Sequence, residues 1–146
     1  MNNHVIIRPI YKSEIAFLNI MLYNAIFIPP GGEKLPENII DHPEISKYIR
    51  DFGRKGDSCF VAEIDGELVG AIWARLFDET NKAFGFVDSA TPEISLAIYE
   101  RFRKKGIGTL LLKTMINALA DEGYKQISLS VDRINFAYDL YKKVGF

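Results

Sequence analysis

Arg103-Lys104-Lys105-Gly106-Ile107-Gly108-Thr109 separates an extended apolar run, Ile94-Ser95-Leu96-Ala97-Ile98-Tyr99, from a run with helical spacing that starts at Ile107 and ends near Leu119. This reads as a strand, a tight turn and a helix. The first N–H groups of a helix have no partner within it, and the helix dipole adds partial positive charge at the same place. Three basic side chains surround this turn, and Gly106 and Gly108 carry no Cβ to hold an oxyanion off the backbone. The turn is therefore suited to an anion such as a pyrophosphate. It is not the dinucleotide fingerprint, because no Gly-x-Gly-x-x-Gly is present, and it is not a P-loop, because no Lys-Ser/Thr pair follows the last glycine. A solvated basic loop ending a strand would carry the same letters, so the turn alone leaves the ligand open.

The end of the chain narrows the choice. Leu129-Ser130-Val131-Asp132-Arg133-Ile134-Asn135-Phe136-Ala137-Tyr138-Asp139-Leu140-Tyr141-Lys142-Lys143-Val144-Gly145-Phe146 reads as a strand, a short loop and a helix. Taken with Arg103-x-x-Gly106-x-Gly108, it resembles the GNAT superfamily of acyl-CoA N-acyltransferases. That pattern is Arg/Gln-x-x-Gly-x-Gly/Ala, then a helix and a strand, then Asn-x-x-Ala-x-x-Leu-Tyr-x-x-x-Gly-Phe. Asn135, Leu140, Tyr141, Gly145 and Phe146 fill it, with Ala137 one place early. The resemblance is close over residues 58–146 and extends to general layout over 4–57.

Composition points the same way. With 146 residues the chain reads as a single domain, 1–146, able to bury roughly two thirds of its unfolded surface. A hydrophobic content of 48%, a charged content of 25% and a net charge of −1 favour neither nucleic acid nor a membrane surface as partner. A single cysteine, Cys59, excludes an internal disulfide and fits a reducing compartment. No apolar run is long enough to span a bilayer, and no signal peptide is evident, so a cytoplasmic location is expected.

Along the chain, a β-rich run at residues 5–7 precedes a helix expected over 13–25, with Ser13 as its N-cap. A second helix is expected over 41–52. Runs 59–64 and 67–73 flank Asp65-Gly66, a strong hairpin signal. A short strand or ordered loop at 83–87, a strand at 93–99, a helix at 107–121 and a strand at 125–131 complete the order β-α-α-β-β-β-α-β-α. The fold class is α+β, with a mixed, mostly antiparallel sheet flanked by helices.

The resemblance implies a function for each part. Strands 93–99 and 125–131 would run parallel and splay apart at one end, freeing backbone groups of Leu96, Ala97 and Ile98 for the pantetheine arm of acetyl-CoA. The cofactor's pyrophosphate would sit on Arg103, Lys104, Lys105, Gly106, Ile107, Gly108 and Thr109. Asn135 would make a polar contact to pantetheine, and Tyr138 would line the same tunnel or pack the core. Tyr141 would protonate the departing thiolate; a phenol with a pKa near ~10 can donate to a thiolate of pKa ~8.5. Glu93 would act as base or water organiser, with Asp88 as a weaker choice. His4 and His42 lack a suitable setting, and Cys59 reads as a buried small hydrophobe. A backbone N–H near Ile98 would meet the oxyanion. No His, Cys or Asp cluster has metal-ligand spacing, so no metal is expected.

The acceptor, a small amine or a peptide N-terminus, would be chosen by residues 23–44 and 77–92. These mix aromatics (Tyr23, Phe27, Phe77, Phe84, Phe86) with acids (Glu33, Glu37, Asp41, Asp78, Glu79, Asp88). Family members usually continue past the Gly145-Phe146 pair into a last strand. Either the chain is truncated, or a partner chain supplies that strand, or the sheet ends in an exposed edge, and a homodimer or edge-strand exchange is expected. Three readings stand at this point: an N-acetyltransferase, a non-catalytic acyl-CoA-binding or regulatory module on the same fold, and an unrelated nucleotide-phosphate binder.

Overall fold

The computed structural model describes residues 4–26, 28, 31–130 and 137–146. Its centre is a four-stranded antiparallel sheet in the order β1 (Val5–Pro9), β2 (Ser58–Ile64), β3 (Glu67–Arg75), β4 (Glu93–Ile98). The β2–β3 hairpin turns on Asp65 (φ 50°) and Gly66 (φ 82°), the two left-handed residues that an Asp-Gly pair supplies readily. A bulge at Ala62/Glu63 follows in the same ladder.

Both faces of the sheet are covered, which is why β3 reads as a nearly unbroken apolar run. Ile72 and Ala74 point to α3 (Ile107–Asp121), while Ala71 and Trp73 point to α1 (Phe17–Ala25). Helix α3 buries Ile107, Leu111, Leu112, Met115 and Leu119, a single stripe at helical spacing. Helix α4 (Ala137–Val144) joins that layer through Ala137 and Tyr141. Cys59 is buried on the other face, where burial pushes its thiol up to about 12, as expected of a small hydrophobe.

The first two helices and the fifth strand differ from expectation, and residues 83–87 take the loop form. The first helix is split: a 3-10 turn at Lys12–Glu14 precedes α1, and Ser13 caps nothing. Glu14 explains the break, since its carboxylate is drawn back onto Arg8 (2.8 Å) and the Tyr11 N–H (2.9 Å). The second helix shortens to α2 (Pro43–Ser46), after which turns carry the chain to Phe52. His42 is its N-cap, its Nδ1 accepting from the Glu44 N–H at 3.1 Å. Residues 83–87 form a turn closed by Phe86 N–H on the Ala83 carbonyl at 3.2 Å. The fifth, parallel strand is reduced among the described residues to one bridge, Glu93 to Ser128. The backbone of Leu129 instead lies against Gly85, where an added Cβ would stand 2.8 Å from the Leu129 carbonyl carbon.

One buried ion pair fixes the end of β3. Arg75, 1% exposed, donates to both carboxylate oxygens of Asp57 (2.9 and 2.8 Å) and to the carbonyls of Lys47 (3.0 Å) and Arg50 (2.6 Å). Asp57 also accepts the Gly53 and Arg54 N–H groups, both at 2.9 Å. The turns after α2 are thereby tied to the sheet.

Candidate active site

Among the described residues, strand β4 is paired fully on one side and barely on the other. The Tyr99 N–H reaches the Val69 carbonyl (3.0 Å) toward β3, whereas the Ile94 N–H reaches the Ser128 carbonyl (2.8 Å) on the opposite edge. Backbone direction alternates along a strand. Leu96 and Ile98 therefore face the open edge, and Ala97 turns its N–H to β3. The Ile98 carbonyl is already engaged, accepting from Arg103 Nε at 3.1 Å.

A cavity of about 510 Å³ lies along this edge. Its walls come from β4 (Glu93 to Ala97), the end of α1 (Leu22 to Ala25), Ile45 and Tyr48 from the segment after the 3-10 turn at Glu37–Asp41, Phe84, and Ala137 and Tyr141 of α4. Arg103 reaches it from the basic turn. Glu93 and Tyr141, forty-eight residues apart in sequence by their numbering, thus face one cavity.

Glu93 is 4% exposed, and its Oε1 accepts the Gly85 N–H at 2.9 Å. Burial pushes its carboxyl above the usual carboxylate range; the Tyr48 hydroxyl, the Gly85 N–H and the Lys47 ammonium oppose that shift without cancelling it. Tyr141 is also buried, and burial raises its phenol, so it is protonated throughout the neutral range. The last residues of the chain explain its placement. Gly145 (φ 120°) lets its own N–H reach the Lys142 carbonyl and the Phe146 N–H reach that of Tyr141, at 3.2 and 3.0 Å. This is a Schellman end, and its usual apolar contact is the Phe146 ring set edge-on against Tyr141 at 6.0 Å.

The basic turn enters α3 through Lys104 (φ 62°) and Gly106 (φ 84°), the latter being the helix N-cap. Gly106 is needed for its left-handed backbone. Gly108 has a packing reason: a Cβ there would stand 2.8 Å from Leu140 Cδ2 and 3.3 Å from Ile98 Cδ1. Lys104, Lys105, Gly106, Ile107, Gly108, Thr109 and Ile98 do not line the cavity, and Tyr138 packs under Lys142 outside it. Asn135 and Phe27 lie outside the described residues. Asp88 is spent on its own turn, accepting from Ala90 N–H and Thr91 Oγ1, and does not reach the cavity.

The end of α1, Ile45 and Phe84 line the cavity with mostly apolar and aromatic side chains. None of Glu33, Glu37, Asp41, Asp78, Glu79 and Asp88 lines the cavity, whereas Tyr23 and Phe84 do. Phe77 is buried beneath Tyr48, and Phe86 lies under Lys82. Sequence reasoning missed Tyr48 and Gly85. Tyr48 has no local signal, because an aromatic in a periodic segment reads as core. Gly85 has one in principle, a glycine beside aromatics with no turn partner. Gly85→Ala is expected to destabilise the protein by roughly 1–3 kcal/mol, since the clash is with the Leu129 backbone. Urea unfolding checks this; an unchanged midpoint would mean that Leu129 yields freely.

A profile of the acetyltransferase (GNAT) family matches residues 22–146. An N-alpha-acetyltransferase of Sulfurisphaera tokodaii is 37% identical over 95 residues, covering 60% of this chain and 54% of that protein. One of Sulfolobus acidocaldarius is 31% identical over 117 residues, covering 77% of this chain and 67% of that protein. The chain thus spans between about half and two thirds of these relatives. Among solved structures, a GCN5-related N-acetyltransferase from Ralstonia eutropha superposes with a TM-score of 0.74 at 17% identity, over 98% of this chain and 92% of that one. A predicted acetyltransferase from Clostridium acetobutylicum, solved with acetyl-CoA, gives 0.70 at 20% identity, over 98% and 90%. The likeness in fold accompanies a sequence match that runs to Phe146 and takes in the basic turn, β4 and α4, and the chain belongs to the GNAT family of acetyltransferases.

Proposed function

We propose that this protein is an N-acetyltransferase that moves the acetyl group of acetyl-CoA to a primary amine, a small amine or a peptide N-terminus, by direct attack in a ternary complex. The observation that carries the reading is the convergence of Glu93, Tyr141 and the edge of β4, which among the described residues pairs only at Ser128, on one cavity. The names of the curated relatives and the acetyl-CoA in the Clostridium structure support it.

The open edge of β4 suits the amide-rich pantetheine arm as a pseudo-strand. The pyrophosphate belongs on the turn 103–109, where Arg103, Lys104, Lys105 and the first amides of α3 gather; Asn135 is carried over from the family motif as a polar contact to the arm, and Tyr138 is left to packing. Glu93, made more basic by burial, accepts the ammonium proton directly or through water. The neutral amine attacks the thioester carbonyl, and backbone N–H groups of Leu96 or Ile98 meet the oxyanion. The C–S bond then breaks, Tyr141 gives its proton to the thiolate, and the second proton of the attacking nitrogen passes through water to restore the phenol.

Thermal unfolding with acetyl-CoA, with ATP and NAD as controls, tests the cofactor. Saturation at 100 times the dissociation constant adds roughly 2.7 kcal/mol, a shift of roughly 5–10 °C. A shift with acetyl-CoA alone is expected. Stabilisation by ATP or NAD instead would overturn the reading, and a shift without turnover on any amine would favour a binding module.

A further inference from the structure

Tyr48 is the cavity residue to which nothing above gives a role. Its ring is wedged between Phe77 (centroids 5.4 Å apart, edge-on) and Phe84 (6.3 Å, stacked), so the hydroxyl has little freedom to swing. That hydroxyl accepts the Phe84 N–H at 2.9 Å, and the next amide, Gly85 N–H, donates to Glu93 Oε1 at 2.9 Å. Two consecutive amides thus grip two side chains from distant parts of the sequence. With its oxygen engaged by Phe84, the phenol has its own hydrogen left to donate, and the Glu93 carboxyl, held by the adjoining Gly85 amide and lining the same cavity, is the acceptor set beside it.

We propose that Tyr48 is a positioning residue for acetyl transfer, holding Glu93 ionised and aimed into the cavity by donating its phenolic hydrogen to the carboxylate. Burial by itself favours a neutral carboxyl, which cannot take a proton from an ammonium. Donors to the charged form work against that penalty, and Tyr48 and Gly85 are such donors.

The other charges around the pair do not replace them. Lys47 favours the carboxylate, but its ammonium is bound to Glu44 (2.9 Å) and the Lys82 carbonyl (2.8 Å). Arg75, directly across β3 from Glu93, is committed to Asp57. Glu44 acts on Tyr48 to disfavour its ionisation, which keeps the phenol a donor. Arg103, Glu100 and Tyr141 lie on other walls of the cavity.

The inference rests on Glu93 as the proton acceptor, and the experiment separates the two. Carboxyl-¹³C glutamate NMR follows Glu93 in the unliganded protein. Turnover is read by thiol release from acetyl-CoA with a mixture of peptides bearing free N-termini. In Tyr48→Phe the ring stacking stays and the Glu93 midpoint rises by about one pH unit, near tenfold in proton affinity. The acidic limb of the pH–rate profile moves up with it, and activity lost at low pH returns at high pH. In a Glu93→Gln background, Tyr48→Phe has no further effect. An unmoved midpoint and limb, or an equal loss in both backgrounds, would overturn the role of Tyr48. Native turnover in Glu93→Gln would overturn the reading of Glu93, and this proposal with it.

Discussion

Asp57→Asn is expected to lower the unfolding free energy by about 3–5 kcal/mol, the usual consequence of leaving one member of a buried ion pair without its partner. The exposure of the two side chains, 2% for Arg75 and 3% for Asp57, puts the pair in that class rather than among weak surface pairs. At this chain length such a loss lowers the melting temperature by roughly 10 °C or more. The pH dependence has a definite sign. Burial would raise the Asp57 carboxyl, but the Arg75 bonds and the Gly53 and Arg54 N–H groups prevail and hold it below its ordinary value of 3.8. A depressed native value means that the contribution is fully present above pH 3.8 and lost as pH falls through the native value. The gap between native and variant should therefore be widest at neutral pH and narrow below 3.8. Denaturant melts at pH 7 and pH 3 check both parts. A difference under about 1 kcal/mol at pH 7 would show that the pair is held together by its surroundings rather than holding them.

Tyr141→Phe carries the largest expected change in rate. The variant keeps the ring that fills the space between α4, α3 and Phe146 and loses only the phenolic proton. If that proton goes to the departing thiolate, kcat falls by about 10²–10⁴. The thermal shift induced by acetyl-CoA should survive, because the β4 backbone proposed to bind the cofactor is untouched. Steady-state thiol release across pH 6–9, paired with the melting curve, separates the two effects. Undiminished turnover over that range would remove Tyr141 from the chemistry and leave it as a packing residue.

What could be read in the sequence was what short-range chemistry determines. The Asp65-Gly66 hairpin, β4, the left-handed entry at Gly106 and the stripe of α3 each follow from residues within one turn or one strand. The motif around Tyr141 was legible as a pattern, and the Schellman end supplies a physical reason for its final Gly-Phe. The errors lie where distant residues compete. Arg8 and Glu14 override the Ser13 cap. Tyr48 and Glu93 are brought together by amides of a turn that had read as strand or loop. The acids thought to flank the acceptor are on the outside, because composition along a segment does not say which way a loop faces.

The grip of Arg75 on residues 47–50 is made through main-chain oxygens. Every amino acid offers the same carbonyl, so this anchor is blind to the side chains it secures. Residues on that wall of the cavity can drift, and descendants can explore new acceptors there, without the wall coming adrift from the sheet. Asp57 and Arg75 hold the wall, and Ile45 stands on the part that is free to vary, whereas Tyr48 is tied to Glu93.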